Sequence, residues 1–185
     1  MRNTADQVKN INGTNKLILD HKDLVIDKVI NSKGNVINFT IGEHNPDLGS
    51  PLLINIDKED NEVIIHYKTT KESEAIQWLS PKQTAGKKSP FLFTQSQAIL
   101  ARSWVPLMDA PSIRFTYSAD IKCPNNLMAL MSASNPVAKS NTGEYHFEMP
   151  QPIPSYLLAL AVGDVNYHKL GDNCGVYAEP EMMDK

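Results

Sequence analysis

Turn-forming residues cut this sequence into pieces too short for long helices. Leu17-Ile18-Leu19 is followed by Asp20-His21-Lys22-Asp23. The run Leu24 to Ile30 closes on Asn31-Ser32-Lys33-Gly34-Asn35, and Val36 to Ile41 closes on Gly42. Leu52 to Ile56 and Val63 to Tyr67 flank the polar cluster Asp57-Lys58-Glu59-Asp60-Asn61. Short β-branched and aromatic runs bounded by Gly, Asn and Asp are the mark of strands and hairpins. The second half repeats the theme. Ile113 to Ala119 alternates apolar with polar, which predicts one buried and one wet face. Leu127 to Ala133, Tyr145 to Met149 and Val176 to Ala178 read as further strands. Tyr156 to Val162, bounded by Pro154 and Gly163, reads as a strand buried on both faces, with a short buried helical turn as the competing reading. No long amphipathic helix fits anywhere, although Gln95 to Ser103 has room for one or two helical turns. The fold expected is all-β: a twisted, mostly antiparallel saddle or sandwich of sheets formed by one domain over 1–185. Between the halves, about 69–111, lies a segment with five prolines or glycines (Pro81, Gly86, Pro90, Pro106, Pro111) and no clear secondary structure. Such a segment inside a domain is usually functional.

Charge and composition narrow the function classes. The formal net charge is -3, and the densest basic spot is the pair Lys87-Lys88. Phosphate binding needs clustered cations, so nucleic acid and anionic membranes are not expected partners. No apolar run approaches the ~18 residues of a membrane span, and the first residues lack the apolar core of a secretory signal. The two cysteines, Cys123 and Cys174, are expected to be free thiols in a reducing cytoplasm, with a single bridge between them as the alternative.

The motifs of catalysis are missing. The five histidines (His21, His44, His66, His146 and His168) form no His-Glu-x-x-His pair, and there is no Cys-x-x-Cys, Gly-x-Ser-x-Gly or Gly-rich phosphate loop. His66 and His146 fall inside expected strands, where a hydrogen-bonded or surface role is the default. Glu43-His44 reads as a solvated turn. The chain alone is therefore not expected to carry a complete active site, a metal or a cofactor.

The informative stretch is Gln77-Trp78-Leu79-Ser80-Pro81-Lys82-Gln83-Thr84-Ala85-Gly86, followed by Gln95-Ser96-Gln97-Ala98, Arg102, Pro106, Asp109 and Pro111. This resembles the N-terminal domain of the aminopeptidase N family of zinc metallopeptidases, and most closely its leukotriene hydrolase branch, which includes bacterial cold-active aminopeptidases. Ala129 to Ala133, Pro152 to Leu160, Leu17 to Asp20 and Lys22 to Leu24 also match, so the resemblance covers nearly the whole chain. It implies a saddle-like β domain followed by a zinc catalytic domain in the same polypeptide. That second domain would carry the Gly-x-Met-Glu-Asn and His-Glu-x-x-His motifs, neither of which occurs before Lys185.

The resemblance also implies that Gln97 lies near the amino end of a peptide substrate, with Gln95 and Ala98 lining the same pocket. An amide oxygen accepts from an ammonium group, though less strongly than a carboxylate would. A bare polar loop is the alternative reading of these residues. Arg102 and Asp109 are spaced to pin the loop to the sheet by a charge-assisted bond, and Pro106 and Pro111 stiffen it by fixing φ. Trp78 and Trp104 read as packing residues. Family members have one or two strands before the block at Leu17, whereas only polar residues precede it here. An open sheet edge and self-association through exposed surfaces are the corresponding expectations. The function expected is a non-catalytic domain that supports the catalytic domain and binds the peptide N-terminus. The rival is a stand-alone peptide- or protein-binding β module.

Overall fold

The computed structural model describes residues 4–7 and 14–183. Fifteen strands follow one another: β1 (Thr4–Gln7), β2 (Lys16–His21), β3 (Val25–Asn31), β4 (Val36–Ile37), β5 (Phe39–Ile41), β6 (Ser50–Asn55), β7 (Glu62–Lys68), β8 (Ile76–Leu79), β9 (Phe91–Thr94), β10 (Arg114–Lys122), β11 (Met128–Met131), β12 (Glu144–Pro154), β13 (Leu160–Gly163), β14 (Asn166–Gly171) and β15 (Cys174–Ala178). Every pairing between strands is antiparallel. The only helical elements among the described residues are single 3-10 turns. The fold is all-β. The strands form two compact units: residues 1–75 with 97–113, and 76–96 with 114–185.

The first unit holds two sheets, β1-β7-β3-β4 and β2-β6-β5. Alternation builds its core. Leu17 and Leu19 of β2, Leu52 and Ile54 of β6, and Val63, Ile65 and Tyr67 of β7 all point inward and are buried in one cluster with Val29 and Ile37. Burial alternates with period two along strands of both sheets, so each sheet has one inward face, and the residues of those faces form one cluster. The expected run Val36 to Ile41 is interrupted at Asn38. The chain there leaves β3, the partner of β4, and joins β6, the partner of β5.

The turn clusters do what their chemistry suggests. Asn31 Oδ1 accepts from Lys33 N and Asn35 N, and Gly34 adopts φ +82°, which suits a residue without Cβ. Asp60 Oδ2 accepts from Asp57 N, and Asp60 Oδ1 accepts from Asn31 Nδ2.

The second unit contains the sheet β11-β13-β9-β8, the ribbon β10-β12 and the hairpin β14-β15. Met128, Ala129, Tyr145, Phe147, Ile153 and Leu160 supply its buried positions. In the ribbon, β10 alternates exposed and half-buried residues along its whole length, as its sequence pattern requires.

Several expectations need correction. A strand does precede Leu17: β1 pairs with β7 from Thr4 opposite Ile65 to Gln7 opposite Glu62 and becomes the edge of that sheet. Polar strands escape a search for apolar runs because backbone pairing needs no apolar side chain. The segment over 69–111 is not irregular throughout, since it contains β8 and β9, and it passes from the first unit to the second at residues 75 and 76 and back at 96 and 97. Tyr156 to Val162 is not one strand. Ser155–Leu157 is a 3-10 turn, and β13 begins only at Leu160. β14 had no counterpart in the sequence reading. Among the described residues, no helix is long and apolar enough to cross a membrane.

Candidate functional site

The segment over 97–113 in the first unit carries most of the expected site residues, and its anchor is a buried ion pair. Arg102 sits in the 3-10 turn Ala101–Ser103. Its Nε donates to Asp109 Oδ2 at 3.2 Å, and its Nη2 donates to the Asp109 carbonyl at 2.8 Å. The third arm, Nη1, donates to the Leu48 carbonyl at 2.7 Å and lies 3.6 Å from Asp20 Oδ1. Asp109 Oδ2 also accepts from the backbone N of Arg102, and Asp20 Oδ2 accepts from the backbone N of Asp109. The Asp109 side chain is fully buried, and that of Arg102 is 6% exposed. A planar guanidinium with donors on three sides suits this task, since it can satisfy a carboxylate and two carbonyls at once.

Backbone bonds extend the anchor to β2. Asp20 and Leu107 exchange both of theirs, and Lys22 N donates to the Arg102 carbonyl. Ser103 Oγ meets Ser73 Oγ at 3.1 Å and accepts from Ala75 N. Trp104 and Pro106 are buried beside this network, whereas Pro111 is exposed.

Gln97 and Ala98 stand at the start of this segment, exposed, and the peptide bond between them is cis. Gln95 is also exposed but belongs to the second unit. Ser96, between the two glutamines, is buried, and its Oγ donates to the Leu158 carbonyl within the second unit. The structure thus holds Arg102, Pro106 and Asp109 together in one buried network. Gln95, Gln97 and Ala98 lie at the surface.

The block around Gln83 has a local structural reason. Ser80 N and Ser80 Oγ both donate to Gln83 Oε1, and Pro81 starts the 3-10 turn Pro81–Gln83. The buried Thr84 hydroxyl is shared between the carbonyls of Pro81 and Ser89. One tryptophan departs from its expected role: Trp104 is buried, but Trp78 on β8 is 65% exposed. A four-residue edge strand leaves one of its faces without a neighbour to cover it.

Sequence reasoning missed two partners of the anchor, Asp20 and Leu48. It also missed one unusual histidine, His21, whereas His146 has the hydrogen-bonded surface role expected of it. His21 on β2 is buried, and neither ring nitrogen has a hydrogen-bond partner. Burial lowers its pKa below the ordinary histidine value, with Asp23 opposing and the nearby His44 reinforcing the shift. His146 on β12 is exposed, with Nδ1 2.7 Å from Asp120 Oδ1 and Nε2 3.4 Å from Glu148 Oε1. These hydrogen bonds, Asp120 first, raise its pKa. Cys123 and Cys174 are free thiols, and burial pushes the Cys123 thiol up.

Residues 3–157 match the family model for the peptidase M1 N-terminal domain. The chain belongs to this family. It is 40% identical over 173 residues to leucine aminopeptidase 2 of Yarrowia lipolytica, covering 91% of this chain and 26% of that protein. It is 41% identical over 179 residues to leukotriene A-4 hydrolase of Xenopus laevis, covering 91% of this chain and 29% of that one. This M1 N-terminal domain therefore spans between a quarter and a third of the length of these relatives.

The solved structure of native leukotriene A4 hydrolase from Saccharomyces cerevisiae superimposes with a TM-score of 0.84 at 34% identity, over 96% of this chain and 28% of that one. An M1 zinc metallopeptidase from Deinococcus radiodurans has a TM-score of 0.66 at 16% identity, over 95% of this chain and 41% of that one, a likeness of fold. No group of three or more His, Cys, Asp or Glu side chains suited to a metal ion occurs among the described residues.

Proposed function

We propose that this M1 N-terminal domain supports the catalytic domain of a zinc aminopeptidase and presents Gln97 to the free amino end of a peptide substrate. The parent enzyme releases N-terminal residues from peptides. Zinc, held by the catalytic domain, supplies the Lewis acid of that reaction. The contribution of this chain is positional.

The buried Arg102–Asp109 anchor carries the reading. A side chain that recognises substrate must start from a fixed backbone. The anchor fixes the segment five residues beyond Gln97 through the Asp20 side chain and main-chain bonds of β2. The relatives named as aminopeptidases support the same class of substrate. An exposed amide is suited to accept from an ammonium group while the catalytic machinery acts elsewhere.

The test is kinetic and uses the full-length enzyme. Gln97→Ala is expected to lower kcat/KM by about 10- to 100-fold on unblocked peptides, the scale of one hydrogen bond to a charged group. Unchanged kinetics across several peptides would remove Gln97 from the site.

A further inference from the structure

The loop that follows the Pro81–Gln83 turn binds a carboxylate that the proposed function does not use. Glu179 Oε2 accepts from Ala85 N at 2.8 Å, and Glu179 Oε1 accepts from Gly86 N at 3.3 Å. Both oxygens of one side chain are engaged by two consecutive amides, across more than ninety residues of sequence. Consecutive main-chain N–H groups aimed at one point form a concave, positively polarised cradle, and a carboxylate satisfies both with charge-assisted bonds.

The loop is prepared for this. Ser80, Gln83 and the buried Thr84 fix the turn on one side through their own hydrogen bonds. On the other side Lys87, at φ 57°, turns the chain and folds its Nζ onto the Lys82 carbonyl. Lys82, Lys87 and Lys88 flank Ala85-Gly86 in the sequence, and the segment that reaches the loop carries Glu179 and Glu181. A second carboxylate, at the movable end of the exposed Glu181 side chain, lies against Gly86. A Cβ there would stand 2.8 Å from each Glu181 carboxylate oxygen. Past Glu179, the chain continues as the short 3-10 turn Pro180–Met182.

We propose that the Ala85–Gly86 amide pair is a carboxylate-binding site and that Glu179 is its tethered ligand, latching the Glu179–Met183 segment onto the loop. The ligand class is an acidic peptide of the Glu-Pro-Glu type. The site is filled in cis by the chain's own segment and is open to such a peptide in trans when that segment is removed. It explains why the sequence block from Ser80 to Gly86 combines a capped turn with a glycine, without any part in peptide hydrolysis. The inference stands independently of the role given to Gln97.

The test is nuclear magnetic resonance of the 185-residue chain. In the wild-type protein, the amide signals of Ala85 and Gly86 should move together with the Glu179 side-chain carboxyl signal as the pH is lowered, while Thr84 N, bonded to the Pro81 carbonyl, should not follow. In Glu179→Ala, hydrogen exchange at Ala85 and Gly86 should accelerate about tenfold or more relative to Thr84, the scale of a lost charge-assisted bond. The peptide Ala-Glu-Pro-Glu-Met-Met, added at millimolar concentration to this variant, should restore both signals, and the same peptide with Gln in place of the first Glu should not. Exchange unchanged in Glu179→Ala, or equal binding of the Gln peptide, would overturn the site. Should the variant fail to fold, the wild-type titration decides: amide signals that ignore the Glu179 carboxyl overturn the proposal.

Discussion

The anchor of the first unit and the β10-β12 ribbon of the second use charge in opposite ways. In the first, Arg102 and Asp109 are buried together, with Asp20 and the carbonyls of Leu48 and Asp109 completing the shell. In the second, the β10-β12 ribbon carries its charges in water: Lys122 pairs with Glu144, and His146 lies between Asp120 and Glu148. Exposed pairs are screened and contribute little, whereas a buried pair becomes costly the moment one partner is lost. The buried network specifies where a segment lies. The ribbon's charges keep a two-stranded surface polar.

The sharpest way to break this contrast is to remove the guanidinium. Arg102→Ala leaves the Asp109 carboxylate buried without its counter-ion, and a destabilisation of about 3–5 kcal/mol is expected by urea unfolding. Asp109 Oδ1 already has no hydrogen-bond partner, so the site has no spare donor to compensate. Lys122→Ala in the ribbon should leave the urea midpoint nearly unchanged. Equal effects of the two substitutions would show that burial does not set the value of these charges.

The tryptophans sharpen the same point with apolar groups. Trp104 is 1% exposed and Trp78 is 65% exposed. Trp104→Ala is expected to cost about 3–5 kcal/mol through the cavity it leaves. Trp78→Ala should change stability by about 0.5 kcal/mol or less, as surface substitutions do. Calorimetric unfolding of both variants measures the difference, and a large loss from Trp78→Ala would mean that its face is covered.

The smallest effects come from two histidines with opposite pH signs. The pKa of His21 is lowered in the folded state, so the unfolded chain takes up its proton first. The stability this group sustains is complete above the ordinary value near 6.5 and declines as the pH falls below it, with a slope no greater than about 1.4 kcal/mol per pH unit. The pKa of His146 is raised. Its contribution is complete below the ordinary value and is lost as the pH rises through the folded one. Ring-proton titrations should place the His21 midpoint below that of a free histidine and the His146 midpoint above it. A reversed order would contradict the burial assigned to His21.

How much of this was legible in the sequence follows from the kind of interaction involved. The first unit's strands were readable because the apolar runs around Leu17, Leu52 and Val63 are short and end on Asp and Asn turn clusters, although which of their residues are buried, Leu17 and Leu19 rather than Ile18, is not written in residue type. The turns at Asn31 and Asp60 were readable because short polar side chains bond their own backbone. β1 was not, since backbone pairing leaves no mark in the side-chain pattern of a polar segment. Nor were β8 and β9, which lie among prolines and glycines that suggest irregular chain.

At the site, Arg102 and Asp109 are close in sequence, and their pairing could be anticipated. Asp20 and Leu48 could not, because they reach Arg102 only through the register of β2 and the loop before β6. The exposure of Trp78 was hidden for a related reason: residue type alone does not say whether a strand's outer face has a neighbour. The bond from Glu179 to Ala85 joins positions far apart in the chain and leaves no periodic trace.

The most direct test of the role proposed for this domain measures the amine itself. In the full-length enzyme, inhibition constants are determined for a non-hydrolysable peptide analogue and for its counterpart lacking the α-amino group, with wild-type and Gln97→Ala proteins. If Gln97 receives the ammonium, the substitution should weaken binding of the amino form by about 10-fold or more and leave the desamino form unchanged. Equal losses for both forms, or none for either, would contradict a role for this domain in binding the substrate's amino end.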